Sequence, residues 1–473
     1  MKANKFYIDG TWTTPSSNKT MPVINPANLE THAIMACATE TDVNDAAAAA
    51  HRAFPGWANT SGMERSDLML EIADKMESRK EDFVEAHVQT MGIPRHLAYE
   101  VQIEGPIQAV RYYADLARKI DSEQDEDGFL LAREPIGVCA LINPWNYPLL
   151  QMVGKVAPAL AAGCTMIVKP AEQTPIQDII MAEIVDSVGL PSGVFNLLTG
   201  VGSEIGPKMS SHPLVDMVSF TGSTSSGISV AMNAAPTIKR VCQEMGGKSA
   251  FIIGEGADLH SAIKYGVDNV MLNTGQTCDA LTRMLVPRAQ YQEAIDIATR
   301  CANEHVVGDP NSKETTVGPL ASMIQRERVV DYIQKGIDSG AKLLIGGNEL
   351  PKGLSTGAYI SPTVFADVDR EMVIAKEEIF GPVLCMLAYD SIDEAVEIAN
   401  ELEYGLSSAV WAENTEEAVK IAHRLRAGQC FIQGSYFRLN APFGGYKGSG
   451  NGREWGEAGL SEYQELKAIV LPD

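Results

Sequence analysis

Basic residues are scarce in this sequence of 473 residues. Lysine and arginine number 38 against 61 aspartates and glutamates, which gives a formal net charge of −23 at pH 7. Affinity for nucleic acid and for anionic membranes depends on clustered basic side chains. The charge balance therefore argues against both, and we expect the chain to bind neither nucleic acid nor a membrane.

Long apolar runs, paired cysteines and metal-binding motifs are also missing. No stretch is apolar over the length needed to cross a bilayer, and the opening segment MKANKFYIDGTW lacks the apolar core of a secretory signal. The eight cysteines have no CxxC spacing, and the eight histidines form no HExxH motif. Scattered cysteines in a long chain indicate reduced thiols. We therefore expect a cytoplasmic protein without a disulfide framework or a metal site.

The chain is too long for one hydrophobic core, which predicts two or three domains. Residues 41–119 have helical periodicity, and Ser61 with Glu64 is typical of a capping box. From residue 134 the pattern changes to short apolar runs that lead into helices, namely IGVCALINPWNYP, TMIVKPAEQTP, VFNLLTGVGSEIG and MVSFTGSTSSG. A second series begins near residue 249 and includes a helix predicted over 416–426. This alternation predicts an α/β fold with ligands at the carboxyl ends of parallel strands.

A single cysteine, Cys278, lies in the segment NTGQTCD, between a glycine-glutamine-threonine run and an aspartate. Free cysteine is among the most buried residue types, so one interpretation is a small apolar residue of the core. The other interpretation is a nucleophile, because a thiolate in the right surroundings is reactive. The segment by itself leaves both interpretations open.

Glycine-rich turns follow two of the predicted strands. In FTGSTSSG, Gly222 and Ser223 open a helix whose unpaired N–H groups and positive dipole end suit a pyrophosphate. Gly-Ser turns before helices are also common without any ligand. Gly202 lies in a GxGxxxG pattern, which departs from the GxGxxG dinucleotide fingerprint and by itself indicates a turn.

Three further segments place polar residues in apolar surroundings. Lys169 and Glu172 in VKPAEQTP suit ribose hydroxyls or, alternatively, the start of a surface helix. Glu244 in EMGGKS suits a base with a raised pKa or a carboxylate paired with Lys248. Asn146 in NPWNYPL has an amide that can donate to a developing oxyanion or stabilise a turn.

These segments occur in one order along the chain, and together they resemble the aldehyde dehydrogenase superfamily. The resemblance runs nearly end to end through PWNYPL, VKPAEQTP, FTGSTSSG, EMGGKS, NTGQTC, EEIFGPV and PFGGYKGSGNGRE. It implies an α/β fold with a Rossmann-like NAD-binding domain over 1–114 and 134–246 and an α/β catalytic domain over 247–447. It also implies a small β oligomerisation element over 115–133 and 448–473, and hence a homodimer or homotetramer.

The resemblance implies NAD-dependent oxidation of a small-molecule aldehyde to its carboxylic acid. Cys278 matches the catalytic thiol of the family, which forms a thiohemiacetal and then a thioester. Asn146 matches the oxyanion-hole donor. Glu244 matches the base that activates water for thioester hydrolysis, and Lys155 and Glu454 match a pair that relays protons from that base.

The residues that match the cofactor site of the family are spread over several segments. They are Lys169 and Glu172 as ribose ligands, Gly202 beside the adenine, Gly222 and Ser223 at the pyrophosphate, and Glu378 and Phe380 at the nicotinamide ribose and ring. A carboxylate at Glu172 repels the extra phosphate of NADP, so NAD is expected and NADP is less favoured.

The segments that match the substrate tunnel of the family contain departures. Tyr147, Phe437 and Phe443 match aromatic walls of the tunnel. Gly154 stands where many relatives carry a tryptophan, and Leu272 stands where an aromatic residue is frequent. The resemblance therefore implies a tunnel that is wider than average at Gly154.

Two alternative functions use the same residues. A cysteine esterase or acyl transferase would employ Cys278 with Asn146, but it needs an activating histidine that no motif in the sequence nominates. A catalytically inactive structural relative is disfavoured by the retention of Cys278, Glu244 and Asn146 together.

Overall fold

Strands and helices alternate along the chain in a computed structural model, which describes residues 2–120 and 124–472. The strands are β1 (Phe6–Ile8), β2 (Thr11–Thr13), β3 (Thr20–Ile24), β4 (Thr31–Ala36), β5 (Gln124–Glu126), β6 (Phe129–Pro135), β7 (Val138–Ile142), β8 (Thr165–Lys169), β9 (Phe195–Leu197), β10 (Met217–Gly222), β11 (Arg240–Met245), β12 (Ala250–Ile253), β13 (Arg283–Pro287), β14 (Lys342–Ile345), β15 (Thr363–Ala366), β16 (Val383–Tyr389), β17 (Ser407–Trp411), β18 (Gln429–Ile432), β19 (Gly450–Asn451) and β20 (Gln464–Val470). The helices are α1 (Glu40–Ala58), α2 (Gly62–Ser78), α3 (Lys80–Thr90), α4 (Arg95–Ala98), α5 (Glu104–Ala117), α6 (Pro148–Ala162), α7 (Ile176–Val188), α8 (Gly202–Ser210), α9 (Thr224–Ala234), α10 (Leu259–Met271), α11 (Tyr291–Asn303), α12 (Met323–Asp338), α13 (Val373–Lys376), α14 (Ile392–Asn400), α15 (Thr415–Ala422) and α16 (Gly456–Ser461). A π-helical turn, Tyr99–Ile103, joins α4 to α5. The predicted α/β fold is confirmed.

The larger sheet has the strand order β19-β11-β10-β7-β8-β9-β1-β2. Its central strands β11, β10, β7, β8 and β9 are parallel, whereas β1 and β19 pair antiparallel with their neighbours. The four units predicted from residue 134 onward supply β7 to β10. Chain order reverses at β7, since β8 and β9 lie on one side of it and β10 and β11 on the other. Such a switch point opens a crevice at the carboxyl ends of the strands, where α/β proteins bind ligands.

The second sheet has the order β14-β15-β16-β13-β12-β17-β18, and all of its strands except β14 run parallel. Cys278 lies in the segment between α10 and β13, and Glu378 lies between α13 and β16. Both segments lead into the amino ends of strands in this sheet. A hydrogen bond from the backbone N–H of Gly247 to Glu378 joins one of them to the segment that follows β11 of the larger sheet.

Helix α6 lies in the core beside the larger sheet, where it packs against α5. Every one of its residues except Leu150 is buried. Pro148 begins the helix, and Gly163, with φ of 93°, ends it in the left-handed conformation that glycine adopts readily. Because Lys155 lies in the middle of this buried helix, its charge requires a partner within the protein.

The helices predicted over residues 41–119 are confirmed, with their ends set by capping side chains. Ser61 Oγ accepts a hydrogen bond from the backbone N–H of Glu64 at 3.2 Å, and the Glu64 carboxylate accepts one from Ser61 N at 2.8 Å. The helix predicted over 416–426 ends earlier, at Ala422. The prediction was wrong there because the chain tightens into a turn, in which Arg424 N donates to Ile421 O.

A separate three-stranded antiparallel sheet has the order β20-β6-β5. The strand near the carboxyl terminus, β20, pairs along its full length with β6, from Gln464 opposite Pro135 to Val470 opposite Phe129. Residues 121–123 of the predicted oligomerisation element lie outside the described residues. The domain boundaries themselves stay a prediction.

Candidate active site

Cys278 follows a strained segment of backbone. Asn273, Thr274 and Gly275 have consecutive positive φ values of 52°, 57° and 72°. A Cβ on Gly275 would lie 2.1 Å from a backbone carbonyl carbon, so only glycine fits at that position. The Asn273 side-chain amide donates to the carbonyl oxygen of Asn146 at 2.9 Å, which ties the segment to the loop after β7. Strain of this kind clusters at functional sites.

Two cavities meet at Cys278. The first, which we call the crevice, has a volume of about 200 Å³ and is lined by Pro144, Trp145, Asn146, Thr221, Gly222, Ser223, Glu244, Met245, Gly246, Cys278, Gln325, Arg328, Glu378 and Phe380. The second, which we call the tunnel, has a volume of about 520 Å³, and its walls include Tyr147, Thr277, Cys278, Asp279, Phe437, Phe443 and Trp455. Among the residues that line them, Cys278 alone belongs to both cavities.

Asn146 lies beside the thiol on the crevice wall and is 3% exposed. Its Nδ2 donates to the carbonyl oxygen of Gln276 at 3.0 Å, and its own carbonyl oxygen accepts from Gln102 Nε2 at 3.0 Å. These hydrogen bonds hold the Asn146 amide against the segment that leads to Cys278. The structure therefore brings together the amide and the thiol that the sequence singled out.

The surroundings of Cys278 disfavour its thiolate form. Burial raises its pKa well above the usual range, and the carboxylates of Asp279 and Glu244 raise it further. Burial also raises the pKa of Asp279 to about 6. Since the thiolate is the nucleophilic form, chemistry at this sulfur requires that its proton be removed.

Glu244 lies in β11 and is 2% exposed. Its Oε1 has no hydrogen-bond partner among the described residues. Burial and then the charge of Glu454 raise the pKa of this carboxyl group well above its usual range, while Lys155 acts in the opposite direction. The alternative pairing with Lys248 does not form, because neither a hydrogen bond nor an ion pair joins the two in the described part of the chain. A buried, unpaired carboxyl group on a cavity wall is a candidate general base.

Lys155 and Glu454 form a buried ion pair behind this wall. The Lys155 Nζ lies 2.8 Å from Glu454 Oε1, and the two side chains are 0% and 4% exposed. Lys155 also donates to Thr221 Oγ1 at 2.7 Å. Two backbone hydrogen bonds with Phe443, of 2.8 and 2.7 Å, hold Glu454 in place. The pair predicted from the resemblance is thus formed, and it interacts electrostatically with Glu244.

The glycine-serine turn after β10 forms one end of the crevice. Ser223 caps α9, and its Oγ accepts from the backbone N–H of Ser226 at 3.3 Å. The first N–H groups of any helix lack partners within that helix, and here they begin beside Gly222 on the crevice wall. Such an arrangement fits the pyrophosphate of a dinucleotide.

Lys169, Glu172 and Gly202 form one cluster, although they come from two segments of the chain. The Glu172 carboxylate accepts a hydrogen bond from the backbone N–H of Gly202, and it lies 3.8 Å from Lys169 Nζ. Burial lowers the pKa of Lys169, and the Glu172 carboxylate opposes that effect. An ammonium group and a carboxylate held side by side fit the hydroxyl groups of a ribose.

Glu378 and Phe380 line the same crevice as Gly222. Glu378 Oε1 accepts from the backbone N–H of Gly247 at 3.1 Å, and burial raises the pKa of this carboxyl group to about 7. Phe380 has a positive φ of 62° and meets Trp145 edge to face, with ring centroids 5.3 Å apart. Both predicted nicotinamide contacts therefore line the same cavity as Cys278.

Two residues of α12 that the sequence analysis missed also line the crevice. Gln325 Nε2 donates to the carbonyl oxygen of Phe380 at 2.8 Å, and Arg328 Nη2 donates to that of Glu378 at 2.7 Å. Their helix carries no motif, so only tertiary packing reveals that they support the two predicted contacts.

The three predicted aromatic walls all line the tunnel. The Tyr147 hydroxyl lies 2.8 Å from Thr277 Oγ1, next to the thiol. Phe437 packs edge to face against Phe443, with centroids 5.9 Å apart, and against Trp455 at 5.5 Å. Trp455 was not singled out from the sequence, although it directly follows Glu454.

The prediction of a wider tunnel at Gly154 was wrong. A Cβ on Gly154 would lie 2.7 Å from Cζ2 of Trp455, so the indole ring already occupies the space that a side chain would take. Trp455 reaches this place from the segment before α16. Leu272, the other departure, lines the tunnel with a side chain that is 38% exposed.

Over residues 2–120 and 124–472, no group of three histidine, cysteine, aspartate or glutamate side chains is arranged to hold a metal ion. No helix in those ranges is both long enough and apolar enough to cross a membrane.

Aldehyde dehydrogenases match the chain along nearly its whole length, beginning with a family model that matches residues 12–469. A 3-succinoylsemialdehyde-pyridine dehydrogenase of Pseudomonas is 46% identical over 467 residues, which is 98% of each chain. A mutant aldehyde dehydrogenase C of Pseudomonas syringae, solved with NAD+ and octanal, is 47% identical with a TM-score of 0.98, covering 99% of this chain and 97% of that one. An aldehyde dehydrogenase of Mycobacterium tuberculosis, solved with NAD+, is 39% identical with a TM-score of 0.96, covering 99% and 98%.

Similarity at this level extends through both sheets and through every segment that lines the crevice. It includes the segments with Lys169, Glu172 and Gly202 and the segment with Cys278. The chain therefore belongs to the aldehyde dehydrogenase family, and it catalyses the NAD-dependent oxidation of an aldehyde.

Proposed function

We propose that Cys278 is the nucleophile of this reaction, with Asn146 as oxyanion donor and Glu244 as general base. The observation that carries the assignment is the position of Cys278, which lines both the crevice and the tunnel. An aldehyde that enters through the tunnel meets the sulfur on one side, and the hydride acceptor lies on the other side. No other lining residue has this double access.

The covalent steps follow from that position. Loss of the thiol proton to solvent gives the thiolate of Cys278. Attack of its Sγ on the aldehyde carbon forms a C–S bond and turns the carbonyl oxygen into an alkoxide. The Asn146 amide and the backbone N–H of Cys278 donate to this oxygen, which is the interaction expected to stabilise the transition state most. Loss of hydride from the carbon leaves a thioester on the sulfur. NAD, when bound in the crevice, supplies the hydride acceptor.

Glu244 then activates water for hydrolysis of the thioester. Its carboxyl group is buried and has a raised pKa, so it holds a proton more tightly than an exposed glutamate does. Attack of water breaks the C–S bond and releases the acid, and the water proton passes to Glu244. We propose that the buried ion pair of Lys155 and Glu454 carries that proton onward.

The cofactor is held by residues along the crevice. We assign the pyrophosphate to Gly222 and Ser223, the adenosine ribose to Lys169 and Glu172, the adenine side to Gly202, and the nicotinamide end to Glu378 and Phe380. The support is that five of these residues lie at the carboxyl ends of β8, β9 and β10, as in other dinucleotide-binding sheets. Glu378 and Phe380 come from the segment before β16 and line the crevice together with Gly222 and Ser223.

The alternative of a cysteine esterase has little support at this site. Such an enzyme activates its thiol with histidine, and no histidine lines the crevice or the tunnel in the described part of the chain. For the substrate, we infer an aldehyde with an apolar body, since aromatic side chains form the inner tunnel. The octanal bound by the Pseudomonas syringae relative is of that kind.

We also infer a cytoplasmic homodimer or homotetramer. The support for assembly is the three-stranded sheet, whose strand β20 leaves one edge unpaired and exposes apolar side chains. The support for the cytoplasm is the set of free cysteines, none of which forms a disulfide among the described residues.

Replacement of Cys278 by serine tests the nucleophile. Serine is not ionised near neutral pH, whereas free cysteine ionises near pH ~8.5. We expect Cys278→Ser to abolish NADH formation from octanal while NAD binding, measured by calorimetry, persists. Cys430→Ser is the control, because Cys430 is also half-buried but lies outside both cavities. Wild-type turnover by Cys278→Ser would place the nucleophile elsewhere.

Replacement of Glu244 by glutamine tests the base. If Glu244 acts in thioester hydrolysis, the first turnover stays fast and later ones slow, because deacylation becomes limiting. Rapid mixing should therefore show a burst of NADH close to one per active site, followed by a slow steady rate. An equal loss of burst rate and steady rate would assign Glu244 to an earlier step.

A further inference from the structure

The charged residues that line the tunnel are all acidic. Three carboxylates, those of Glu100, Glu104 and Asp279, are among its lining residues, and no lysine, arginine or histidine is. The rest of the wall is apolar, aromatic or neutral and polar. An anionic group that enters this space therefore meets no compensating charge.

Glu100 and Glu104 lie at the outer part of the tunnel. Both side chains are exposed. Glu100 lies in the π-helical turn Tyr99–Ile103, and Glu104, four residues later, is the first residue of α5. Neither carboxylate takes part in a hydrogen bond or an ion pair within residues 2–120 and 124–472. Gln108, four residues further along α5, continues the same row of tunnel-lining side chains. This row is thus available to a ligand.

The inner carboxylate is that of Asp279, next to the reacting thiol. Burial raises its pKa to about 6, so it is ionised at the alkaline pH at which a thiolate forms. Tyr265 and Tyr436 also line the tunnel, where their rings meet edge to face with centroids 5.9 Å apart. Aromatic faces attract cations and do not attract carboxylates.

On the basis of the function proposed above, we propose that this tunnel selects aldehydes by the charge at their far end. Chains that end in a cationic nitrogen are preferred, neutral chains are accepted, and chains that end in a carboxylate are excluded. The physical reason is the unpartnered pair of Glu100 and Glu104 at the outer part, together with the absence of any basic residue among the lining residues.

Three aldehydes of eight carbons test the proposal, one unsubstituted, one with a terminal trimethylammonium group and one with a terminal carboxylate. The trimethylammonium group is chosen because, unlike a primary amine, it cannot condense with the aldehyde. At low ionic strength we expect kcat/KM to be highest for the ammonium aldehyde, intermediate for the neutral one and lowest for the carboxylate one. The value for the ammonium aldehyde should exceed that for the carboxylate aldehyde by at least about tenfold. The ratio should shrink as salt is added. A carboxylate substrate that is used as well as the ammonium one would overturn the proposal.

Variants distinguish the tunnel from the net charge of the whole protein. We expect Glu100→Gln with Glu104→Gln to reduce the ammonium-to-carboxylate ratio by at least about threefold. The control is Glu71→Gln with Glu81→Gln, which removes two exposed carboxylates outside the tunnel lining. Equal effects of both double variants would mean that the overall charge of the protein sets the preference, and would reject the proposal that the tunnel sets it. Octanal oxidation that survives Cys278→Ser would instead contradict the proposed function, whatever the ratio.

Discussion

We expect Glu172 to set the cofactor preference, because we assign its carboxylate to the ribose that carries the extra phosphate in NADP. The carboxylate is held by the backbone N–H of Gly202 and by Lys169 at 3.8 Å. One charge pair at ~4 Å is worth roughly 1 to 4 kcal/mol, which corresponds to between about fivefold and several hundredfold. We therefore expect kcat/KM for NAD to exceed that for NADP by at least about tenfold.

Substitution of Glu172 by glutamine should narrow this preference, chiefly through a lower KM for NADP. Glu204→Gln is the control, since Glu204 is an exposed carboxylate of α8 that pairs with Lys19 on the surface. A preference that is unchanged in Glu172→Gln would mean that this carboxylate only pairs with Lys169 and never meets the ribose.

Asp279 contributes to the raised pKa of the Cys278 thiol. Burial is the largest cause of the raised pKa of Cys278, and the Asp279 charge is the next. Because the pKa of Asp279 is about 6, its carboxylate is charged wherever the thiolate forms, and it opposes that ionisation. Asp279→Asn removes the opposing charge, so the rise of kcat/KM with pH should move to lower pH. A profile for octanal that superimposes on the wild-type profile would contradict this.

The sequence predicts three residues that line the crevice, Cys278, Asn146 and Glu244, but not the residues that support its walls. Cys278, Asn146 and Glu244 lie in short segments whose composition is unusual, since each places a reactive or polar group in an apolar or glycine-rich frame. Arg328 and Gln325 act through backbone carbonyls of a distant segment, so nothing in their own helix indicates the contact.

At the level of elements, helix α6 depends on a glycine that accommodates a ring from elsewhere in the chain. A Cβ on Gly154 would lie 2.7 Å from Cζ2 of Trp455, and overpacking of a core costs about 1–3 kcal/mol. We expect Gly154→Ala to lower the free energy of unfolding by about this amount in urea, despite the higher helix propensity of alanine.

Gly56→Ala in α1 is the matched control. A Cβ there would meet nothing within 4 Å, so this variant should gain the propensity of alanine and unfold at higher urea. If Gly154→Ala were as stable as Gly56→Ala, the indole ring would have room to move away, and the packing explanation would fail.

Some element boundaries are set by interactions that are local in the sequence, whereas others depend on distant parts of the chain. The capping box of Ser61 and Glu64 starts α2 where the sequence predicts it, because the cap is a local interaction. The π-helical turn Tyr99–Ile103 has no such local signal in the sequence, yet it leads directly into α5 and carries Glu100 on the tunnel wall. The tunnel's charge is therefore visible only in three dimensions.

For the whole molecule, the reversal of strand order explains why distant motifs converge. The loops that follow β7, β8, β10 and β11 all leave the same edge of the larger sheet. Asn146, Lys169, Gly222 and Glu244 lie in these loops or in the last residues of the strands before them. Strand-then-helix alternation predicts this edge as the ligand site. It does not predict that the loop with Cys278, from the other sheet, completes it.

The three-stranded sheet is the place where we expect one subunit to meet another. In β20, Leu466 is 65% exposed and Val470 is 79% exposed, although both are apolar. They point to one side of the strand, because alternate residues share a face. Exposed apolar strands at a sheet edge promote association. Copies of a chain with a net charge of −23 repel each other, so their association needs the burial of apolar side chains such as these.

We expect Leu466→Glu with Val470→Glu to reduce the sedimentation coefficient from that of a dimer or tetramer to that of a smaller species. Carboxylates on this face would be desolvated next to the acidic surface of the neighbouring copy, which is costly. Met63→Glu with Ile324→Glu is the control, since these side chains are 54% and 80% exposed but lie away from β20. An unchanged sedimentation coefficient for the β20 variant, or a wild-type protein that sediments as a monomer, would remove this sheet as the interface. Circular dichroism of both variants should match the wild type, because all four side chains already lie at the surface of the folded chain.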